Sequence, residues 1–482
     1  MRQFSLLILL IFTFSFQVSA QKANWVYATM THKTANDLRD SFPRHVKILK
    51  THNNMSIVHF NLEHINSVES SSLNGPGYIL QPNEDVASKH LFKNPVFENK
   101  ILEFTITEND FVQSCLPLVD PVKIGETIVS LENYGTRFHS KPTGIQASID
   151  LKNRWESMAD DANRSDVQVE FFEHDFSPQK SIIITIPGTE IPEEIVVLGA
   201  HIDCGDSWNQ NNAPGADDNA SGIATITEVY RVLLERNFRP KRTVQIMAFA
   251  AEEIGLMGAN DIAGTYSAQG KNVLGMLNLD MVNYKGSEDD IFIVSDPGYT
   301  TSELNLFLIE LLEYYHSSGA YPLTYQQSEC GYACSDHAAW SDNGFMAAYA
   351  FEAAEGEENP YYHSPGDTYA NMGNDASHAA KFARLSLEFL VEIAKTSEMK
   401  TSEVQESQFD FVVHADNAIY LIKNKATQVI SMEIVDTSAR KIISQTNLPT
   451  QGTIAIDTLP KGVYIVVFKL NNGEILTKKF LK

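Results

Sequence analysis

The sequence has no second stretch able to cross a bilayer. Beyond the first twenty residues no apolar run approaches about eighteen residues, so a further helical span is excluded. Cysteine is scarce, with four in 482 residues, which rules out a disulfide-dense scaffold. Basic residues are also scarce, 37 Lys and Arg against 61 Asp and Glu, and the net charge of −24 argues against a nucleic-acid or anionic-membrane binder. With 20% charged and 43% hydrophobic residues, the chain is not compositionally disordered and can bury substantial cores.

What is present begins with a leader. Arg2, the apolar run Leu6–Phe16 and the small-x-small site Val18-Ser19-Ala20 predict a signal peptide over 1–20, cut before Gln21. Export to an extracellular or cell-surface location follows, and it permits disulfides. Cys330 and Cys334 are close enough for a small loop disulfide. Metal binding is the alternative, but no second Cys/His pair stands nearby at zinc-finger spacing, and the disulfide is expected. Cys115 and Cys204 are left unassigned.

At this length two or three units are expected. Residues 21–107 alternate short apolar strands with polar turns, a small α+β unit without a cluster of reactive side chains. From 108 to 396 strands alternate with helices: strands near 194–200, 243–250, 273–282 and 290–295, and helices near 220–237, 258–267, 302–316 and 376–395. That pattern predicts an α/β fold, a mixed, mainly parallel sheet sandwiched by helices. A polar linker, 397–408, leads to short β-rich segments over 409–482, a C-terminal β-sandwich. This tail carries nine Lys and Arg against six Asp and Glu, or +3, leaving −27 on the rest.

Three predicted strands end in metal-type ligands: His201 with Asp203, the pair Glu252-Glu253, and Asp280. In an open α/β sheet, ligands gather beyond the carboxyl ends of parallel strands. If these strands are parallel neighbours, the groups share one rim. Asp217-Asp218 before the long helix and His363 in a turn-rich segment can lean over it. Singly, each has a plain alternative in capping or surface charge. Together, two histidines and several carboxylates form a donor set suited to Zn²⁺.

The segments GAHID, APGADDNASGIA, AFAAEEIGLMGA, LNLDMVNYKGS, CGYACSDHAAW and HSPGDT, in this order and spacing, closely resemble the secreted bacterial leucyl aminopeptidases with co-catalytic zinc. The resemblance covers about 108–396. It implies a di-zinc exopeptidase whose ligands are Asp217 (bridging), His201 and Asp280 at one ion, and Glu253 and His363 at the other. Glu252 is then the general acid/base, Asp203 orients His201, and Asp218 follows the bridging Asp across a cis peptide bond. Tyr332 is implied to hydrogen-bond the oxyanion. Met281, Val294, Tyr349, Phe351 and Tyr362 are implied to line an apolar side-chain pocket.

Departures from the leucine-preferring pattern at Glu355, Glu357 and Glu358 raise a second option, preference for Lys or Arg. Residues 21–107 resemble the family's propeptide. The tail, with IVDTSAR and LPKGVYIV, looks like a type IX secretion sorting domain, although the usual Asn-Pro turn is absent near Val412–Asn417. A surface-binding β module is the alternative for it. The implied partners are peptides with a free N-terminus and the secretion machinery, and a monomer is expected. Within the fold, a glutaminyl cyclase or a dipeptide carboxypeptidase is the rival. A metal-free receptor ectodomain is the rival from another class.

Overall fold

The computed structural model describes residues 25–61, 77–92, 104–205, 210–397, 409–413, 417–422, 428–436, 440–471 and 475–482. The expected leader, and all of the expected linker except residue 397, lie outside the described residues.

The N-terminal unit is a small antiparallel sheet of β1 (Trp25–Thr31), β2 (Val46–His52), β3 (Met55–Asn61) and β4 (Ile79–Gln81), in order β2-β3-β1-β4. Asn53 takes a left-handed φ of 51° between β2 and β3, as a tight hairpin requires. Helices His32–Ser41 and Glu84–Phe92 accompany the sheet.

The central unit is built on eight strands: β5 (Gln168–His174), β6 (Ser177–Ile186), β7 (Ile191–His201), β8 (Arg242–Phe249), β9 (Asn272–Leu279), β10 (Ile291–Val294), β11 (Tyr325–Ser328) and β12 (Ala347–Phe351). Their order is β11-β10-β12-β9-β7-β8-β6-β5. β7 lies between β8 and β9 and pairs in parallel with both. Strand order therefore reverses at β7, a topological switch point that opens a crevice at the strand ends. The sheet is mixed: β5, β6 and the β10–β12 pair are joined antiparallel.

Helices cover both faces. On one, helices including Pro121–Glu132, Pro142–Asp161, Ala220–Glu235, Ser302–His316 and Ala379–Ala394 enclose the larger core. On the other, Met257–Ala268 and His337–Asp342 close a smaller core around Phe249, Met276 and Trp340. The helix Ala220–Glu235 is buried on nearly all sides, and even its polar positions through Glu228 are buried. Its first turn is capped by Asn219, whose Oδ1 accepts from the Gly222 amide at 2.9 Å.

Among its described residues the tail holds seven antiparallel strands, β13 (Phe409–Val413), β14 (Asn417–Ile422), β15 (Val429–Asp436), β16 (Lys441–Leu448), β17 (Gln451–Ala455), β18 (Val463–Leu470) and β19 (Ile475–Leu481). They form sheets β13-β14-β17 and β16-β15-β18-β19 over a core that includes Phe411, Tyr420, Met432, Phe468 and Phe480.

The chain already packs on the central unit from Phe104, whose ring stacks on Phe307 with centroids 5.0 Å apart. The buried carboxylate of Glu392 then accepts from the amides of Thr107 (2.7 Å) and Glu108 (3.0 Å) and from the Tyr315 hydroxyl. Replacing Glu392 by alanine orphans two buried donors, the Glu108 amide and the Tyr315 hydroxyl, and removes the acceptor of the more exposed Thr107 amide. Each orphaned donor costs about 1–3 kcal/mol, and the variant should lose about 3–5 kcal/mol in chemical denaturation. A loss below about 1 kcal/mol would show that this clasp is not structural.

Candidate active site

The parallel strands deliver their C-terminal groups to one place. His201 ends β7, Glu252 and Glu253 follow β8, and Asp280 follows β9. His201 and Asp280 are in contact, with Nε2 3.2 Å from Asp280 Oδ1. His363 arrives from the loop after β12 and stands 3.1 Å from Glu253 Oε2. Three residues at these strand ends and loops have left-handed backbones: Ala251 (φ 57°), Met281 (φ 51°) and His363 (φ 51°). Each such non-glycine conformation costs on the order of 1–3 kcal/mol and persists only where surrounding structure enforces it.

The carboxylate between the two histidines is Asp218. Its Oδ1 lies 3.2 Å from His201 Nε2 and its Oδ2 lies 3.0 Å from His363 Nε2. This corrects the expectation by one residue, because Asp217 points away. Asp217 accepts from the Asn283 amide (3.1 Å) and Asn359 Nδ2 (3.0 Å). The cis peptide bond is correspondingly Asp218–Asn219, not Asp217–Asp218. Neighbouring residues of an irregular turn point in different directions, and residue spacing does not say which of the two acids faces the rim.

Supporting contacts fix the cluster from outside, and two of the residues that make them, Asp367 and Glu352, have no role assigned from the sequence. The Asp367 carboxylate accepts from the amides of Asp217 and Asp218, both at 3.0 Å, and so sets the turn from below. Glu352, at the end of β12, accepts from the amides of Tyr284 (2.6 Å) and Asn359 (3.1 Å). Asp203 accepts from the amides of Glu252 (3.0 Å) and Glu253 (3.3 Å), and its Oδ1 is 3.7 Å from His201 Nδ1. It thus holds the Glu pair as well as the histidine. Asp280 Oδ2 accepts from Ser335 Oγ at 2.7 Å.

The donor atoms group as a cation site would. One oxygen or nitrogen each from His201, Asp218 and Glu253 lie within 4.8 Å of one another, and likewise from His201, Glu252 and Asp280. Glu252 Oε1 and Glu253 Oε1 are buried and have no hydrogen-bond partner. Buried, partnerless carboxylate oxygens are costly unless a cation or proton meets them.

Comparison with known proteins agrees with this geometry. Residues 181–390 match the family model described as peptidase family M28, and 415–482 match the secretion system C-terminal sorting domain. Leucine aminopeptidase 1 of Arthroderma gypseum is 33% identical over 299 residues, 60% of this chain and 79% of that protein. The chain belongs to peptidase family M28. It is an aminopeptidase of that family whose sorting domain directs it for export. Among solved structures, LapB from Legionella pneumophila superposes with a TM-score of 0.65 at 27% identity, covering 77% of this chain and 99% of that one. The LapA aminopeptidase of the same organism superposes at 0.66 and 26%, covering 78% and 99%.

In this M28 chain, the expected pocket residues do meet. Met281, Val294, Tyr349 and Phe351 pack with Phe292, Tyr332 and Cys334, and Tyr362 lies against them. Tyr349 is a support more than a surface: its hydroxyl donates to the Asp280 carbonyl at 3.1 Å, and its ring stacks on His337. Cys330 and Cys334 are joined as a disulfide, which removes both thiols from metal binding. Asp296 accepts from the amides of Cys330 (2.9 Å) and Gly331 (2.8 Å) and anchors the loop that carries Tyr332. A cavity of about 160 Å³ is lined by Tyr332, Phe351 and Tyr362, with Glu329, Glu355 and Glu358 at the same wall. Cys115 and Cys204 are buried free thiols.

Electrostatics follow from the crowding. Burial opposes charge on His201, but Asp280, Glu252, Asp203 and Asp218 outweigh it and raise its pKa well above 6.5. His363 is raised in the same way by Glu253 and Asp218. Burial lifts Glu252 well above the usual carboxylate range, with His201 pulling down and Asp336, Glu253 and Asp280 pushing further up. Asp218 is the exception: despite burial, its two histidines hold it far below that range. Divalent cations in this cluster would invert the balance and keep the acids ionised. Asp218→Ala should therefore lower zinc affinity of the apo protein by at least about 100-fold in calorimetric titration. Wild-type affinity in that variant would remove Asp218 from the centre of the site.

Proposed function

We propose that this protein removes single residues from the free N-terminus of peptides, using two zinc ions. His201, Asp218 and Asp280 would hold one, and Asp218, Glu253 and His363 the other. The observation that carries the reading is the carboxylate of Asp218, with one oxygen toward each histidine. The donor set fits zinc: nitrogen and carboxylate oxygen ligands, with buried oxygens otherwise unmet. When bound, such ions lower the pKa of water and polarise a carbonyl oxygen.

The protein's own residues do the rest. Glu252 precedes the ligand Glu253 and faces the same cluster from a different angle. Its carboxylate accepts the proton of the attacking water and returns it to the departing amine nitrogen. Tyr332 donates its hydroxyl hydrogen to the oxygen that gains negative charge. The apolar wall of Met281, Val294, Phe351 and Tyr362 receives the first side chain, which suits leucine and similar residues. The concentration of carboxylates favours a substrate with a free ammonium over a blocked one. Residues 21–107 would act as a propeptide, and the tail would be recognised by the secretion machinery.

A second reading concerns only the first residue of the substrate. Glu329, Glu355 and Glu358 border the cavity beside Phe351 and Tyr362, an apolar stem site with acids at its end. That arrangement suits the methylenes and charged head of Lys or Arg.

Glu252→Gln should lower kcat by about 10²–10⁴ while the protein keeps its zinc, measured as metal content beside turnover. Retained activity would reassign the base. Turnover of leucine nitroanilide should exceed that of the lysine compound, and N-acetylated peptides should be left intact. Faster lysine turnover would select the second reading, and cleavage of blocked peptides would reject an aminopeptidase.

A further inference from the structure

The segment Leu131–Arg137 lies far in sequence from every candidate ligand, yet it ends in a wholly buried arginine. Arg137 is 0% exposed. Each of its four guanidinium hydrogen bonds ends on a backbone carbonyl: Nε on Ile202 (3.0 Å), Nη1 on Pro214 (2.6 Å) and Leu131 (3.3 Å), and Nη2 on Gly215 (2.8 Å). Ile202 directly follows His201, and Gly215 stands three residues before Asp218. One planar fork thus ties the end of β7 to the turn that carries Asp218.

The neighbouring contacts repeat the stitch. The Arg137 amide donates to Cys204 Sγ at 3.0 Å, and the Cys204 thiol donates to the Ala213 carbonyl at 2.9 Å. Gly215 has φ 57°, and a Cβ there would sit 2.4 Å from the Asp218 carbonyl oxygen and 3.0 Å from Arg137 Nη2. The arginine therefore packs flush against a backbone that only glycine permits. A buried cation answered by carbonyl dipoles alone is a poor source of stability, because apolar packing of similar volume does as well or better. What the fork supplies is direction: a planar guanidinium reaches the carbonyls of Ile202, Pro214 and Gly215 at once, from two chain segments other than its own, which a lysine ammonium cannot span.

We infer that Arg137 is a positioning residue for the reaction, setting the distance between His201 and the shared carboxylate of Asp218. His363 and Glu253 are held from other sides, by their own loops and by Asp203 beneath the Glu pair. Loss of the fork therefore weakens most the ion position that contains His201 and Asp280, and reaches the other less, through the shared Asp218. The inference rests on the two-zinc reading above.

The test uses the full chain with Arg137→Lys and Arg137→Met. Zinc per chain is measured against graded chelator, with the melting temperature of the metal-free protein and separate kcat and KM. Arg137→Lys should lose one of two zinc ions at about 10- to 100-fold lower chelator than wild type, by analogy with other outer-shell changes. Its kcat should fall in parallel, while KM and the metal-free melting temperature stay close to wild type. Arg137→Met should show the same split more strongly. If Arg137→Met does not fold, the Arg137→Lys result decides alone. Zinc retention and kcat equal to wild type in Arg137→Lys would overturn the inference. So would loss of both ions together, or a metal-free melting temperature that falls with zinc affinity, since either marks a merely structural role. A wild-type chain that takes up no zinc would instead overturn the two-zinc reading, and this inference with it.

Discussion

The structure depends on holding like charges together where water does not reach. Asp203, Asp218, Glu252, Glu253 and Asp280 are all buried around His201 and His363. Burial, with the crowding of like charges, raises the proton affinity of Glu252 and Glu253, whereas Asp218, between two imidazoles, is held far below the usual carboxylate range. A fold can carry such a cluster only if its backbone is fixed by other means and a cation completes it. The rest of the molecule supplies the first condition. β7 is flanked by parallel partners, the helix after Asn219 is buried nearly all round, and left-handed residues at Ala251, Met281 and His363 re-aim the chain at each strand end or loop.

Support for the cluster comes mostly from backbone amides. Asp203 reads the amides of the Glu pair, and Asp367 reads those of Asp217 and Asp218. Ionised acceptors on backbone donors make strong, directional bonds. They also let one carboxylate orient two neighbouring residues of the cluster's backbone at once. The same device recurs at Asp296, which reads two amides of the disulfide loop behind Tyr332. Outer carboxylates thus act as clamps on the main chain, and the inner ones are left with free oxygens.

Much of this was legible in the sequence, for identifiable reasons. Apolar runs ending in His, Glu-Glu and Asp mark strands whose tips face a common crevice, because burial on both faces makes a strand uniformly apolar up to its end. The antiparallel pair β5–β6 and the strands β11 and β12 were not legible. β12 reads Ala-Ala-Tyr-Ala-Phe, whose alanines carry little strand preference, and tertiary packing overrides that. The choice between Asp217 and Asp218 failed on a turn whose backbone has no period to read. Asp367, Glu352 and Arg137 escaped because a clamp is defined by the amides or carbonyls it meets, and all but the Asn359 and Leu131 partners lie 65 to 150 residues away.

The N-terminal unit meets the central one at a mechanically sensitive point. The turn after Glu253 runs through Gly255, with φ 113°, and a Cβ there would sit 2.8 Å from the Tyr78 ring and 2.9 Å from Leu80 Cγ. The Gly255 carbonyl accepts from the Leu80 amide at 3.3 Å, and Asn260 Nδ2 donates to the Leu80 carbonyl at 2.9 Å. Gln81 and His90 both reach the Asp342 carboxylate on the adjoining helix, and Ile79 enters the smaller core beside Phe249. The unit therefore packs on the same short turn that follows Glu252 and Glu253. A glycine at 255 is what lets the two units close on each other. Its freedom from side-chain bulk would equally let the turn relax once β4 is withdrawn. The contact therefore reaches the Glu pair through the backbone of the turn, and the charge balance of the cluster is left to the cation that completes it.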